Sequence, residues 1–159
     1  MHSLVLSHLD YANALFYGLP DTTLAPLRRI QHRAAKLVLK LGRLDSATEA
    51  LKTLHWLPIT YRSEFKLACL AFQVLHGTAP QYLCDLLDIK VTDRTTRFAL
   101  DGVKFKVPKT TRKTFADRSF SVGAAVVWNS LPNAVRSVQV YSKFKTSLKT
   151  YYFKKAFNV

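Results

Sequence analysis

Carboxylates that bind catalytic metal ions are the first chemistry to look for, and Asp117 is the clearest candidate. It lies in the stretch Phe-Ala-Asp-Arg at residues 115–118. Phosphoryl transfer by two metal ions needs two or three carboxylates that converge on ions about 3.5–4 Å apart. The residue after Asp117 is Arg118, whose fixed positive charge would repel the ions, and the next acid upstream is Asp101 in a predicted turn. The stretch is therefore rejected as a two-metal site.

The other reactive side chains show no spacing that is typical of an active site. Cys69 and Cys84 form no C-x-x-C pair and have no histidines at zinc-ligand spacing, and the five histidines form no metal-binding pattern. The chain also lacks a nucleophile elbow and a glycine-rich phosphate loop. We therefore expect no enzymatic activity, no catalytic residue, no cofactor and no metal site. Both cysteines are interpreted as small buried hydrophobic residues.

Charge is the strongest functional signal in the composition. The chain of 159 residues has 24 lysines and arginines against 10 acids, a formal charge of +14. Half of these basic residues, but only two of the acids, lie in residues 101–159. Such an excess attracts polyanions, so nucleic acid, RNA or DNA, is the leading partner class.

The hydrophobic content and the opening segment limit the class of protein further. Hydrophobic residues make up 48% of the chain, which is enough to form the core of one compact domain or two small ones. The first ten residues have no basic region and no long apolar run, so we expect neither a signal peptide nor a membrane span. An intracellular protein of the nucleus or cytoplasm, with no membrane partner, is predicted.

A basic amphipathic helix is predicted over residues 22–41. Apolar residues recur at helical spacing from Leu24 to Leu41, with Asp21 as the N-cap and Gly42 as the stop. A basic helix of this kind can bind the phosphate backbone of a nucleic acid without sequence preference. The alternative is an ordinary solvated helix face. The candidate nucleic-acid contacts on this helix are Arg28, Arg29, Arg33, Lys36 and Lys40.

Helices are predicted in six further places. Ser46 and Glu49 form a capping box, and Asp117 is predicted to cap the helix that follows it. The ranges are residues 4–16, 47–54, 60–76, 80–87, 118–129, and a last helix that begins at Ser142. The aromatic and basic residues of this last helix have the composition of a base-stacking surface, but their helical spacing favours core packing. Trp56 and Trp128 are likewise interpreted as core residues.

A β-hairpin is predicted around Asp101-Gly102, a strong two-residue turn signal. It would pair Phe98 with Phe105 on an apolar face and Arg97 with Lys106 on a cationic face. Like charges opposite one another are destabilising, which favours an anion bound across this face. The alternative is an edge strand whose lysines prevent aggregation. The candidate nucleic-acid contacts of this region are Arg97, Lys104, Lys106, Lys109, Arg112 and Lys113.

Seven stretches of the chain resemble one protein family, and they occur in the same order as in that family. They are L-D-Y-A-N-A-L-F-Y-G-L-P (9–20), L-R-R-I-Q-H-R-A-A-K-L-V (27–38), L-H-W-L-P-I (54–59), F-K-L (65–67), L-H-G-T-A-P-Q-Y-L (75–83), F-A-D-R-S-F-S-V (115–122) and W-N-S-L-P (128–132). Together they resemble the C-terminal part of LINE-type, non-LTR retrotransposon reverse transcriptases of the jockey superfamily. One departure is Ala12, where the family more often has cysteine. The resemblance implies a chain that begins within the thumb, so the family's polymerase and endonuclease residues have no counterpart here.

The expected fold is mainly α-helical with one small antiparallel β-hairpin, an α+β class. Residues 1–43 would form a thumb-like helix pair, and residues 44–159 a basic C-terminal domain with the hairpin near residues 95–108. The expected function is non-catalytic binding of template RNA or primer duplex for a reverse transcriptase. The alternative is a structural module that packs against the polymerase body, with its charge serving solubility. An uncovered apolar face over residues 4–16 would also favour self-association.

Overall fold

The computed structural model describes residues 7–90, 103–109 and 117–158, and helices dominate them. A 3₁₀ turn, Asn13–Phe16, precedes α1 (Asp21–Val38), α2 (Ala47–Thr53), α3 (Ile59–Leu75), α4 (Gln81–Cys84), α5 (Phe120–Ser130), α6 (Asn133–Arg136) and α7 (Tyr141–Phe157). The chain divides into two compact units: Met1–Ser63 with Lys149–Val159, and Glu64–Leu148. The predicted domain boundary at residue 43 came from the family resemblance. This division into compact units does not test it, so it stays a prediction.

The first unit is built on a core in which α1 packs on α2. Small side chains let the two helices approach, because Ala35 and Ala50 are almost completely buried at the contact. The fully buried Gln31 donates a hydrogen bond from Nε2 to the Leu57 carbonyl at 2.8 Å and so ties α1 to the segment before α3. The buried members of this core are Leu9, Leu24, Ala34, Ala35, Ala50, Leu51, Trp56 and Ile59.

The start of α2 confirms the Ser46 half of the predicted capping box. The hydroxyl of Ser46 accepts a hydrogen bond from the backbone N–H of Glu49 at 3.3 Å, which satisfies one of the free donors of the first helical turn. This signal is local in sequence, because the cap and its partner are three residues apart. Local signals of this kind are the ones that a sequence carries most reliably.

Two helices of the first unit end at non-glycine residues with left-handed backbone. Lys40 follows α1 with φ 54°, and His55 follows α2 with φ 53°. In each case the next N–H reaches back over the helix end: Leu41 to the Lys36 carbonyl, and Trp56 to the Leu51 carbonyl, both at 2.9 Å. This is the Schellman pattern, whose left-handed position is usually glycine. The prediction that α1 continues to about Leu41 and stops at Gly42 is therefore wrong.

The helix predicted over residues 4–16 is interrupted within its described part. Ala12 has φ 50°, and the 3₁₀ turn Asn13–Phe16 follows it. Leu9 is buried in the core, whereas Leu15 is 75% exposed. The apolar face that was expected to be uncovered is therefore divided between the core and the surface. Residues 4–6 lie outside the described residues.

The second unit has an aromatic core. Phe72 of α3 stacks on Phe144 of α7 with ring centroids 4.4 Å apart, and Trp128 of α5 lies 5.8 Å from Phe144. Phe105 meets Trp128 edge to face at 5.9 Å. Offset and edge-to-face pairs of this kind stabilise beyond the area that they bury. The interpretation of Trp56 and Trp128 as core residues is confirmed, since both are almost completely buried.

The predicted β-hairpin is wrong, because the described half of it has other partners. Within the described residues the sole extended pairing is an isolated antiparallel bridge between Ile89 and Phe105. The Lys90 N–H donates to the Lys104 carbonyl, and the Lys106 N–H donates to the Asp88 carbonyl, both at 2.8 Å. Arg97 and Phe98 lie outside the described residues.

The Asn129 side chain occupies the backbone groups that the hairpin needed. Its Oδ1 accepts from the Phe105 N–H at 3.0 Å, and its Nδ2 donates to the Phe105 carbonyl at 2.8 Å. The predicted register would have used this same N–H and carbonyl to pair with Phe98. We call this pair of hydrogen bonds the amide clamp. Trp128 adds a hydrogen bond from Nε1 to the Val103 carbonyl at 3.0 Å, so the Trp-Asn dipeptide holds residues 103–105 in an extended conformation.

The start of α5 also differs from its prediction. The N-cap is Ser119 and the first helical residue is Phe120, so Asp117 lies two residues before the cap and does not cap the helix. The hydroxyls of Ser119 and Ser121 are 3.1 Å apart. Residues 110–116, which carry the first part of the Phe-Ala-Asp-Arg stretch, lie outside the described residues.

Candidate nucleic-acid interface

Three of the candidate cations form a row along one face of α1. Arg29, Arg33 and Lys36 lie within about 60° of one another around the helix axis, because each residue advances the helix by about 100°. They span about 10 Å along the axis at 1.5 Å per residue. Arg29 and Arg33 are exposed and Lys36 is half-buried. We call these three residues the cation row.

Arg28 lies beside the cation row, about 80° from Lys36 around the helix, and has an acidic partner. It sits about 100° from Arg29 around the helix. Its Nη2 contacts Asp21 Oδ1 at 3.2 Å and the Asp21 carbonyl at 3.4 Å. An exposed ion pair of this kind contributes little to stability, but it partly neutralises Arg28. The ion pair with Asp21 therefore distinguishes Arg28 from the three members of the cation row.

The turn after α1 brings a further arginine to the cation row. Lys36 Nζ donates to the Arg43 carbonyl at 2.9 Å, and the left-handed Lys40 makes this reversal possible. A shallow open depression forms where the turn meets the helix, and it is lined by Arg33, Lys36, Leu37, Leu41, Gly42 and Arg43. Arg43 was missed from the sequence, because no local signal marked Lys40 as the reversal point. Lys40 itself is exposed at the turn.

The described acidic side chains of the first unit form no ion pair with the cation row or with Arg43, although Asp45 lies in the same turn as Arg43. Asp10 pairs with Arg62, and Asp45 accepts a hydrogen bond from the backbone N–H of Gly42. Among the described residues no acid forms an ion pair with Arg29, Arg33 or Arg43.

His32 responds to the same environment. Desolvation by burial, and then the positive charges of Arg28 and Lys36, lower the pKa of His32 below its usual value. The imidazole is therefore neutral at pH 7. The cationic field of α1 comes from its arginines and lysines and receives no contribution from this histidine.

The second predicted cluster is described only in part. Lys106 and Lys109 are exposed and Lys104 is half-buried, whereas Arg97, Arg112 and Lys113 lie outside the described residues. The bridge between Ile89 and Phe105 places Asp88 opposite Lys106. A grouping of all six cations on one face stays a prediction.

The last helix buries its aromatic stripe and spreads its lysines. Phe144, Leu148 and Tyr152 are fully buried, which confirms core packing for this stripe. Helical geometry places the exposed lysines of α7 on several sides of the helix, so they form no row comparable to that on α1. They are Lys143, Lys145, Lys149, Lys154 and Lys155.

The described residues contain no metal-binding group and no reactive thiol pair. No cluster of three or more His, Cys, Asp or Glu side chains suited to a metal ion occurs among them. Burial raises the pKa of the Cys69 thiol to about 11, so this side chain is protonated and unreactive at neutral pH. Cys84 is half-buried. Among the helices that the structure describes, none has the length and apolar character needed to span a bilayer.

The chain matches no protein-family model, no curated protein and no solved structure. The resemblance to reverse transcriptases stays a prediction from the residues quoted above.

Proposed function

We propose that this protein is a non-catalytic nucleic-acid-binding module, equivalent to the C-terminal part of a non-LTR retrotransposon reverse transcriptase. It binds the phosphate backbone of template RNA or of a primer duplex, and the cation row of α1 is its primary contact. A polymerase body supplied by other domains of the same element is the second partner. The seven ordered stretches support the family, and the surface of α1 supports the activity.

One observation carries the proposal: the cation row lies on one helix face, with Arg29 and Arg33 exposed and Lys36 half-buried, and none of the three forms an ion pair with an acid of the described structure. Arg43 lies beside it in the turn. A solvated helix face typically alternates its charges, and such alternation would have placed acids three or four residues from these arginines. A row of one sign tracks a polyanion, since each cation that meets a phosphate releases a condensed counterion.

The number of cations sets the expected salt dependence. Three phosphate contacts give a slope of log Kobs against log salt of about −2.7 for duplex DNA and about −2.1 for a single strand. Participation of Arg43 would steepen the duplex slope to about −3.6. Contacts of this kind carry little sequence preference, so we expect comparable affinity for unrelated sequences of the same strandedness.

The test is charge reversal with a control that matches the change in net charge. Arg29→Glu combined with Arg33→Glu should weaken binding and make the duplex slope shallower by about 1.8, the share of two phosphate contacts. Lys66→Glu combined with Lys143→Glu alters the net charge equally at exposed positions of the second unit. Equal losses in the two double variants would refute a localised site and leave a diffuse charge effect.

A second candidate function rests on exposed apolar side chains beside the cation row. Leu37 is 60% exposed, and Ile30 and Leu41 are also exposed. A docking surface for the polymerase body would bury these leucines and isoleucine. Ile30→Ser combined with Leu37→Ser should abolish docking to a polymerase core if this function holds, whereas nucleic-acid binding by the cation row should survive the same change, because no charge is altered.

A further inference from the structure

His55 forms an exposed stacked pair with Phe153. The two ring centroids are 5.3 Å apart and the ring planes differ by 13°, which is close to parallel. His55 is exposed and Phe153 is half-buried, so the histidine covers the phenylalanine and turns toward solvent. Phe153 in turn contacts Phe157 at 4.7 Å. All three residues belong to the first unit.

Two further restraints hold the imidazole in place. The backbone of His55 is left-handed, with φ 53°, which costs roughly 1 kcal/mol or more for a residue other than glycine. Its Nδ1 lies 3.3 Å from the Thr53 carbonyl, a hydrogen bond that fixes the orientation of the ring. A helix end alone would be served better by glycine.

A lysine lies one helical turn before Phe153 on α7. Lys149 precedes Phe153 by four residues on α7, so both side chains project from the same face of the helix, about 6 Å apart along its axis. Lys149 is exposed. A flat aromatic ring with a cation one helical turn away presents one surface for a planar group and another for an anion.

We propose that His55, supported by Phe153, is a stacking platform for an unpaired nucleobase, with Lys149 contacting the phosphate of the same strand. Histidine and other aromatic side chains stack unstacked bases in this way, and neighbouring cations follow the backbone. A base within a duplex is stacked on both faces, so the platform takes single-stranded nucleic acid or an unpaired strand end. The inference rests on the proposed function, since it assigns that function a single-stranded ligand.

The test uses the full chain and a single-stranded oligonucleotide that carries 2-aminopurine. Anisotropy reports binding, and quenching of the 2-aminopurine emission reports stacking. His55→Asn removes the ring but keeps a residue that tolerates left-handed backbone, so the fold is retained. It should lower single-strand affinity by about 5- to 150-fold and abolish the quenching, while blunt duplex affinity stays unchanged.

A matched control and three outcomes decide the inference. Tyr11→Ala removes another exposed ring of the first unit, 81% exposed, and should leave the quenching intact. Unchanged quenching in the His55→Asn variant, with wild-type binding retained, would overturn the platform and leave the proposed function standing. Equal quenching loss in both variants would also overturn it. Failure of the wild-type chain to bind any nucleic acid would overturn both.

Discussion

Replacing Asn129 by alanine removes both hydrogen bonds of the amide clamp. The Phe105 N–H loses its acceptor at 3.0 Å and the Phe105 carbonyl loses its donor at 2.8 Å, at a residue that is 1% exposed. Two hydrogen bonds contribute about 1–3 kcal/mol net, and a donor left buried without a partner adds about 1–3 kcal/mol. Alanine returns up to about 0.7 kcal/mol of helix propensity near the end of α5. We therefore expect a loss of about 2–4 kcal/mol in the free energy of unfolding.

Urea unfolding followed by circular dichroism measures this loss. With a slope of about 2 kcal/mol per molar urea, the midpoint should fall by about 1–2 M. Gln81→Ala is the matched control, because its amide makes one exposed hydrogen bond, to Asp85. This control should change stability by no more than about 0.5 kcal/mol.

Amide hydrogen exchange supplies the local readout. The Phe105 amide should be protected in the wild type and exchange quickly in Asn129→Ala. The Lys106 amide donates to the Asp88 carbonyl at 2.8 Å and serves as an internal reference for the bridge. A Phe105 amide that stays protected in the variant would refute the clamp, and with it the reason given for the absence of the predicted hairpin pairing.

Two further predictions concern the first unit. Lys40→Gly should stabilise the fold by about 0.5–1 kcal/mol, because glycine relieves the left-handed backbone after α1; a lowered melting temperature in this variant would contradict the prediction. Because the fold lowers the pKa of His32, the unfolded chain binds a proton at this histidine more readily than the folded chain does. His32 therefore has little effect on the free energy of unfolding above about pH 6.5 and lowers it as pH falls below that value. His32→Gln should therefore lose less stability than the wild type between pH 7.5 and 5, as measured by urea midpoints, and identical losses would contradict the prediction.

Local signals predicted much of the helical fold. Ser46 caps α2 through a partner three residues away, and Gly77 has positive φ just after α3, whose predicted range ended at residue 76. The extended segment could not be predicted in the same way. Asp101-Gly102 carries a strong local turn signal, but the partner of Phe105 is decided by Asn129, 24 residues farther along the chain. A tertiary hydrogen bond therefore outweighed a local preference.

The candidate interface was predictable in composition and less so in arrangement. Helical spacing already placed Arg29, Arg33 and Lys36 on one face of α1. Arg28 forms an ion pair with Asp21, two helical turns earlier, and this pairing could not be predicted. The position of Arg43 beside the cation row depends on the left-handed backbone of Lys40. Neither contact has a sequence signature. Lysine is uncommon as the left-handed residue at a helix end, and an ion pair such as that of Arg28 depends on how the two side chains are placed.

The central claim, binding of nucleic-acid backbone by the cation row, is tested most directly by the salt dependence of affinity. Fluorescence anisotropy of the full chain with single-stranded RNA, single-stranded DNA and a hybrid duplex would be measured at about 50 and 200 mM salt. Three phosphate contacts predict that affinity falls about 40-fold for duplex and about 20-fold for single strands over this range. Affinity that changes less than about threefold, or the absence of binding at the lower salt concentration, would contradict the claim.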